Sequence, residues 1–315
     1  MGLGLAAVQN TLELHNLGYF KNSNSVIEIG SQELHLKKED LKELFEYAGL
    51  KSNLVEEYPN INNWPEQPRC SSKFFYESLG IKEYQSIDIN ADYGAIAHDL
   101  NKPFEDRSKF NKFDIVTDYG SCEHVFNIAE CYRTMHNLTK LGGYIIIDQA
   151  VLKGNGYFRF DASFFEGIAA ANGYKIIFNS YVITPGDKTK SGSLYQFHIP
   201  RNQKLLNVLD YSKLNTTERV TEIGIYGVLQ KIKEDEFKMP YQNNLMKDVY
   251  NISGFNRMYM REPMSYTFIT SATKTLEETS ISPTVASLTL IIKALFKWFK
   301  TKIRRIVRIM IMKVK

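Results

Sequence analysis

The sequence predicts an α/β fold built on an open, mostly parallel sheet, and three observations carry that prediction. Apolar runs bounded by turn residues recur at 25–32, 84–90, 113–120 and 144–148, short enough for strands and apolar enough to be buried. Between them lie stretches with helical periodicity, notably 38–47 and 125–135. The strands end in glycine or an acid, as strands do where a ligand crevice opens beyond the carboxyl edge of such a sheet. At 315 residues, 43% hydrophobic and 13% aromatic, the chain can build one large domain or two small ones.

The elements follow in order. Residues 3–16 read as a helix, with Leu5, Val8 and Leu12 on one side and Gly18 beyond its end. Tyr19 and Phe20 after it have two readings: the segment packs on the core, or its aromatics form a lid over Gly30. Ser25-Val26-Ile27-Glu28-Ile29-Gly30-Ser31-Gln32 is a buried strand ending in a turn, and Gly30 lets the backbone approach a ligand. A helix over 38–47 places Leu41, Leu44, Phe45 and Ala48 on one face and stops at Gly49. Residues 51–70 carry three prolines and read as an irregular loop. A short helix capped by Ser71 or Ser72 then leads into the strand at 84–90, which carries Asp88.

A third strand-like segment, 94–100, ends at Asp99 and Leu100. The fourth, 113–120, presents Asp118, Tyr119 and Gly120 at its mouth. The helix that follows runs from about Val125 and stops at Leu141-Gly142-Gly143, before a fifth strand at 144–148. Ser163 and Glu166 make a capping-box pattern for the next helix, ended by Asn172-Gly173. Residues 174–183 and 221–231 read as strands, with 194–199 as an added one.

Cys70, Cys122 and Cys131 have no Cys-x-x-Cys spacing, so neither a disulfide scaffold nor a metal site is expected, and a reducing compartment fits. The first residues lack a basic region and a long apolar run, so no secretory signal is expected. Ala6 stands where a myristoylation signal needs Ser or Thr. The net charge of +4 is unevenly placed: nine Lys/Arg and no acid fall in 284–315, leaving −5 on residues 1–283. A mildly acidic body lacks the clustered cations that phosphate backbones require, so no nucleic-acid partner is expected.

Several side chains have chemistry to offer, each beside a structural alternative. Asp88 is placed to accept from ribose hydroxyls and Asp99 from an adenine amine, or both are turn residues. His124, beside Glu123 after the fourth strand, is the best-placed general base, or else a histidine that starts a helix. Tyr119 would offer a cation–π contact or fill the pocket mouth. Tyr157 and Arg159, after the fifth strand, would shape a substrate wall with a cation for an anionic group, or form a turn with core aromatics.

The succession Val26-Ile27-Glu28-Ile29-Gly30-Ser31, Ser86-Ile87-Asp88-Ile89, Ala97-His98-Asp99-Leu100-Asn101, the run Phe113 to Val125 and Lys140-Leu141-Gly142-Gly143-Tyr144 resembles class I S-adenosylmethionine-dependent methyltransferases over residues 25–235. The resemblance implies a Rossmann-like, seven-stranded, mostly parallel sheet with helices on both faces and an antiparallel last strand. It implies S-adenosylmethionine as cofactor. Glu28, Gly30 and Ser31 would line its methionine and ribose side, and Asp88 the ribose. Asp99 and Leu100 would meet the adenine. Asp118, Tyr119 and Gly120 would sit near the amino acid moiety and the methyl. Two departures stand out. The turn has a single glycine, and Asp88 lies 58 positions after Gly30, where about 20 is usual, so 31–70 reads as an insertion.

The organisation expected is an N-terminal helix or lid (1–24), the methyltransferase domain (25–235), an irregular extension (236–283) and a basic amphipathic helix (284–315). In that last segment Leu288, Ile292, Leu295, Phe299, Ile303, Ile306 and Met310 recur on one face, and Lys293, Lys297, Lys300, Arg304 and Arg308 on another. Such a helix lies in an anionic membrane surface or packs on the body or a partner, and its charges disfavour spanning. The function expected is methyl transfer, with O-methylation favoured, to a small-molecule, glycan or lipid-linked acceptor by a cytoplasmic, peripherally membrane-associated protein. An NAD(P)-dependent oxidoreductase is the runner-up, disfavoured by the missing Gly-x-Gly-x-x-Gly. A non-catalytic membrane-tethered nucleotide-binding module is the third reading.

Overall fold

A computed structural model describes residues 2–51, 58, 70–152, 155–185, 197–200 and 221–241. In order these form β1 (Gly2–Leu3), α1 (Leu5–Asn16), β2 (Ser25–Ile29), β3 (Glu33–Leu34), α2 (Lys38–Tyr47), α3 (Lys73–Ser78), β4 (Glu83–Asp88), β5 (Ile96–Ala97), β6 (Phe113–Tyr119), α4 (Ile128–Leu138), β7 (Thr139–Leu152), α5 (Ala162–Asn172), β8 (Lys175–Pro185), β9 (Phe197–Pro200) and β10 (Thr221–Gln230). The basic segment 284–315 and most of the extension before it lie outside the described residues. Most of the loop at 51–70 does too. Among the described residues no helix is long and apolar enough to cross a membrane.

Eight strands make one sheet in the order β5-β4-β2-β6-β7-β10-β8-β9. The first five run parallel. β10 is inserted antiparallel between β7 and β8, and β9 pairs antiparallel with β8 at the edge. This is the expected seven-stranded, mostly parallel sheet with an antiparallel last strand, extended by the short strand read at 194–199. The chain grows outward from β2 through β4 to β5, then returns to the other side of β2 with β6. That reversal opens a crevice at the carboxyl ends of β2 and β6, where open sheets of this kind bind ligands.

Strand alternation divides the core between the two faces. Ile27, Ile29, Val116, Ile145 and Ile147 join Cys131, Tyr132, Met135 and Leu138 of α4 and Phe165, Ile168 and Ala169 of α5 in one cluster. Glu28 and Thr117 face the other way, under α1 and α3. All residues of β2 and β6 are buried, which explains why these strands read as near-continuous apolar runs.

Several element boundaries are corrected, and one pair of alternative readings is decided. Helix α4 ends at Leu138 rather than at 141–143, because the chain is already extended at Thr139, which pairs with Phe113. Gly142 and Gly143 lie within β7 and exchange main-chain hydrogen bonds with Lys231. Helix α5 is capped by Asp161 rather than by Ser163: the carboxylate accepts from the Ser163 amide at 2.9 Å and hydroxyl at 2.7 Å. Tyr19 and Phe20 do not close over Gly30. They pack edge-on against Tyr144 near the start of β7, at 6.0 and 6.3 Å, so the core-packing reading holds for this segment. The second strand ends at Asp88 rather than Asn90, and only Ile96–Ala97 of the third segment is extended. The two-residue parallel pair β1–β3, too short to show periodicity, ties the N-terminus to the stretch after Gly30.

Candidate active site

The crevice is built around a missing side chain. Gly30 leaves β2 at φ +90°, a conformation that disfavours any residue with a Cβ. A Cβ there would lie 2.1 Å from Ser121 Oγ and 2.8 Å from Gln32 Nε2. The turn after β2 therefore presses directly on the turn after β6. Gln32 fixes this contact by donating to the Ile29 carbonyl at 3.0 Å and to Ser121 Oγ at 2.7 Å.

From Gly30 a ring of hydrogen bonds runs around the carboxyl edge of the sheet. The Ser31 amide donates to Asp88 Oδ2 at 2.8 Å, and the Ser31 hydroxyl to the Asp92 carbonyl at 2.8 Å. The Asp88 carbonyl accepts from the His98 amide at 3.1 Å. Asn101 then accepts from Asn127 twice, at its side chain and at its carbonyl, both at 2.9 Å. The Glu123 carbonyl accepts from the amides of Tyr157 at 2.7 Å and Phe158 at 3.2 Å. Asp118 closes the ring: Oδ1 accepts from the amides of Ser121 and Cys122, and Oδ2 from the Gln149 side-chain amide. Burial pushes the Asp118 carboxyl up to about 6 despite those donors, helped by the nearby Glu123 charge.

The structure brings Gly30, Ser31, Asp88, Asp99, Asp118, Gly120, His124, Tyr157 and Arg159 to this one edge. Asp88 is half-buried, and among the described residues its Oδ1 is engaged only by the amide of nearby Asn90, at 3.3 Å. Asp99 is tied to Asn101 through amide and side chain, which holds its carboxyl below the ordinary value. The His124 Nε2 lies 3.5 Å from Glu123 Oε1, with the imidazole side chain 32% exposed. Glu123 itself is buried and accepts from the Ala150 amide at 3.0 Å. Arg159 donates to the carbonyls of Gly156 and Phe158, so it also holds the loop after β7.

Three residues expected to line the cofactor are placed otherwise. Glu28 is fully buried beneath the site and accepts from Ser72 at 2.5 Å, Tyr84 at 2.8 Å and Thr117 at 3.5 Å. Burial pushes its carboxyl up to about 7 against those hydroxyls. It braces the strand end and exposes no atom to a ligand, because odd and even positions of β2 face opposite layers. The Leu100 side chain belongs to the core. Tyr119 is buried, with its hydroxyl 2.9 Å from that of Thr11, so α1 covers this part of the mouth.

Other residues emerge only from the fold. Ile89 directly follows Asp88 and is 74% exposed, an apolar face beside the carboxylate. Phe126, beside His124, is exposed as well. Among the described residues, buried side-chain amide atoms without a hydrogen-bond partner include both polar atoms of Asn10 on α1, Gln32 Oε1 and Gln149 Oε1, with Asn179 Oδ1 on β8 away from this edge. Buried polar atoms are nearly always paired in native proteins, so such a set calls for an explanation. Gln32 follows the strand-glycine motif directly and could have been read from it. Asn10, Phe126 and Gln149 carry no such signal.

The sheet order, with the Gly30 turn at its reversal and Asp88 on the neighbouring strand, is the arrangement that the motif succession implied. The chain resembles class I S-adenosylmethionine-dependent methyltransferases. No family model matches it, and no curated protein matches it in sequence. Solved structures similar to it include a SAM-dependent methyltransferase from Archaeoglobus fulgidus (13% identity, 72% of this chain and 94% of that one, TM-score 0.37). Another is the 1,6-didemethyltoxoflavin-N1-methyltransferase of Burkholderia thailandensis with S-adenosylhomocysteine bound (9% identity, 72% and 79%, TM-score 0.37). A third is the O-methyltransferase of a trans-AT PKS multienzyme of Brevibacillus brevis, also with S-adenosyl-L-homocysteine (11% identity, 81% and 84%, TM-score 0.38).

The residues present fit such a cofactor. The Gly30 cradle admits no Cβ, Asp88 keeps acceptor capacity for ribose hydroxyls, and Ile89 offers an apolar face for a base. The orphaned carbonyl oxygens of Gln32 and Gln149 are acceptors suited to a cationic group.

Proposed function

We propose that this protein is an S-adenosylmethionine-dependent methyltransferase acting on an oxygen of a small-molecule, glycan or lipid-linked acceptor met at a membrane surface. The observation that carries the reading is the reversal-point crevice, where the turn at Gly30 leaves no room for a side chain and is tied through Ser31 to Asp88. Bound there, S-adenosylmethionine would supply an activated methyl group, and the protein's share is alignment and exclusion of water. Ser31, Asp88 and Ile89 would hold the nucleoside end, with Asp99 at the base. Asp118 positions Ser121 and Gln149 around the opposite end through its three hydrogen bonds. His124 would take the acceptor's proton, and the carboxylate of Glu123 beside it would stabilise the imidazolium that results. Tyr157 and Arg159 would form the acceptor wall.

The basic segment 284–315 supports the membrane part of the proposal through its sequence, which carries nine cations with Trp298 near them, no acids, and an apolar face that includes Phe299. It would hold the protein peripherally on the cytoplasmic face. The full chain should float with anionic liposomes, and a chain ending at residue 283 should not; equal flotation of the two would remove membrane binding from the proposal. Tritiated methyl groups from S-adenosylmethionine, offered with membrane and soluble extracts, should enter an acceptor. Transfer that persists unchanged in His124→Gln would rule out the general-base role.

A further inference from the structure

The aromatic side chains beside His124 define what the acceptor looks like. Phe126 is 78% exposed and Tyr157 is 73% exposed, and their rings meet edge to face with centroids 6.1 Å apart. Phe158 extends the group, 6.5 Å from Phe126. Large apolar rings exposed singly are ordinary, but a contiguous set beside a titratable side chain marks a recognition surface.

This surface is held in place. The amides of Tyr157 and Phe158 both donate to the carbonyl of Glu123, the residue before His124. Gly156 sits against that same carbonyl, where a Cβ would come within 2.5 Å. Arg159 ties back to the carbonyls of Gly156 and Phe158. The loop after β7 and the loop after β6 are thereby locked together, with the rings of Phe126 and Tyr157 exposed and Phe158 packed against the core beneath them.

We infer that the acceptor's reacting part is a planar phenolic ring, seated against Phe126 and Tyr157 with its hydroxyl toward His124. This rests on the methyltransferase reading and narrows its acceptor. Aromatic rings favour offset or edge-on contact with another ring, an interaction worth more than its area alone. Proton chemistry points the same way. A phenol gives up its proton far more readily than a sugar hydroxyl, because the ring delocalises the charge left on oxygen. A single imidazole is matched to a phenol and far from matched to a sugar. In the step assigned to this chain, the O–H bond of the phenol breaks, its proton moves to an imidazole nitrogen of His124, and the electron pair stays on the phenolate oxygen.

Isothermal titration with 4-methylphenol and 4-methylcyclohexanol, each in the presence of saturating S-adenosylhomocysteine, tests the inference. The phenol should bind in roughly the millimolar range expected of so small a ligand, and at least ten-fold more tightly than the cyclohexanol. The double variant Phe126→Ala/Tyr157→Ala should lose at least ten-fold of the phenol's affinity while keeping its circular dichroism, its melting temperature and its S-adenosylhomocysteine affinity, since both side chains are on the surface. Equal binding of the two probes, no binding of the phenol, or unchanged affinity in the double variant would overturn the phenolic acceptor. If S-adenosylhomocysteine fails to bind the unaltered protein, the methyltransferase reading falls first, and the two failures are thereby told apart.

Discussion

Replacing Gly30 with alanine tests the crevice where it is tightest. Two costs follow from the structure. The added Cβ must be carried at φ +90°, a left-handed strain of about 1–2 kcal/mol. It would also lie 2.1 Å from Ser121 Oγ, so that hydroxyl must move and surrender the hydrogen bond from Gln32, which adds about 1 kcal/mol. The total is about 2–3 kcal/mol, or a fall in melting temperature of roughly 3–5 °C for a protein of this size. Urea unfolding of Gly30→Ala, Ser121→Gly and the double variant separates the two costs, because the second glycine removes the clash and leaves the backbone strain. The double variant should be less destabilised than the two singles summed, by about 1 kcal/mol. If Gly30→Ala unfolds within 0.5 kcal/mol of the unaltered protein, or the singles simply add, the close contact between the two turns is refuted.

Other perturbations reach the layers around that contact. Burial raises the Glu28 carboxyl from its ordinary 4.5 to about 7. The folded state therefore holds a proton that the unfolded chain has lost, so Glu28's contribution is complete below pH 4.5 and declines as pH rises to about 7, by on the order of 3 kcal/mol. Glu28→Gln should flatten that part of the stability–pH curve in thermal melts, and an unchanged slope would clear Glu28 of it. Lys231 is buried and donates to Asn111, to the His136 carbonyl and to the Thr139 carbonyl, with distances of 2.8 to 2.9 Å. Lys231→Met should cost about 3 kcal/mol in denaturant titration by stranding those oxygens at the end of α4; a loss below 1 kcal/mol would show that water replaces the ammonium.

The sheet was legible because β2, β6 and the stretch Ile145 to Ile147 of β7 are buried on both faces and so read as apolar runs, with turn residues at their ends. Helix α2 was legible to the residue, since its apolar positions keep one period and Gly49 ends it. The end of α4 was not: Leu141-Gly142-Gly143 reads as a stop signal, yet the glycines pair with Lys231, some ninety residues later in the chain. Site residues split the same way. Ser31 and Asp88 were read from their places at strand ends, and the structure joins them by a hydrogen bond. Glu28 was read as facing a ligand, although strand alternation turns it into the layer beneath. Phe126 and Asn10 went unread because exposure and an unpaired amide exist only once the chain is folded.

Calorimetric titration of the full chain with S-adenosylhomocysteine, run beside Asp88→Ala, addresses the central claim most directly. Asp88 accepts from the Ser31 amide at 2.8 Å and keeps acceptor capacity at its other oxygen. Its loss removes both the anchor of the Gly30 turn and the proposed acceptor for the ribose. Saturable binding by the unaltered protein, weakened about 10- to 100-fold in the variant (about 1.4–2.8 kcal/mol), is the result this account predicts. No binding by the unaltered protein, or equal binding by both, would contradict it.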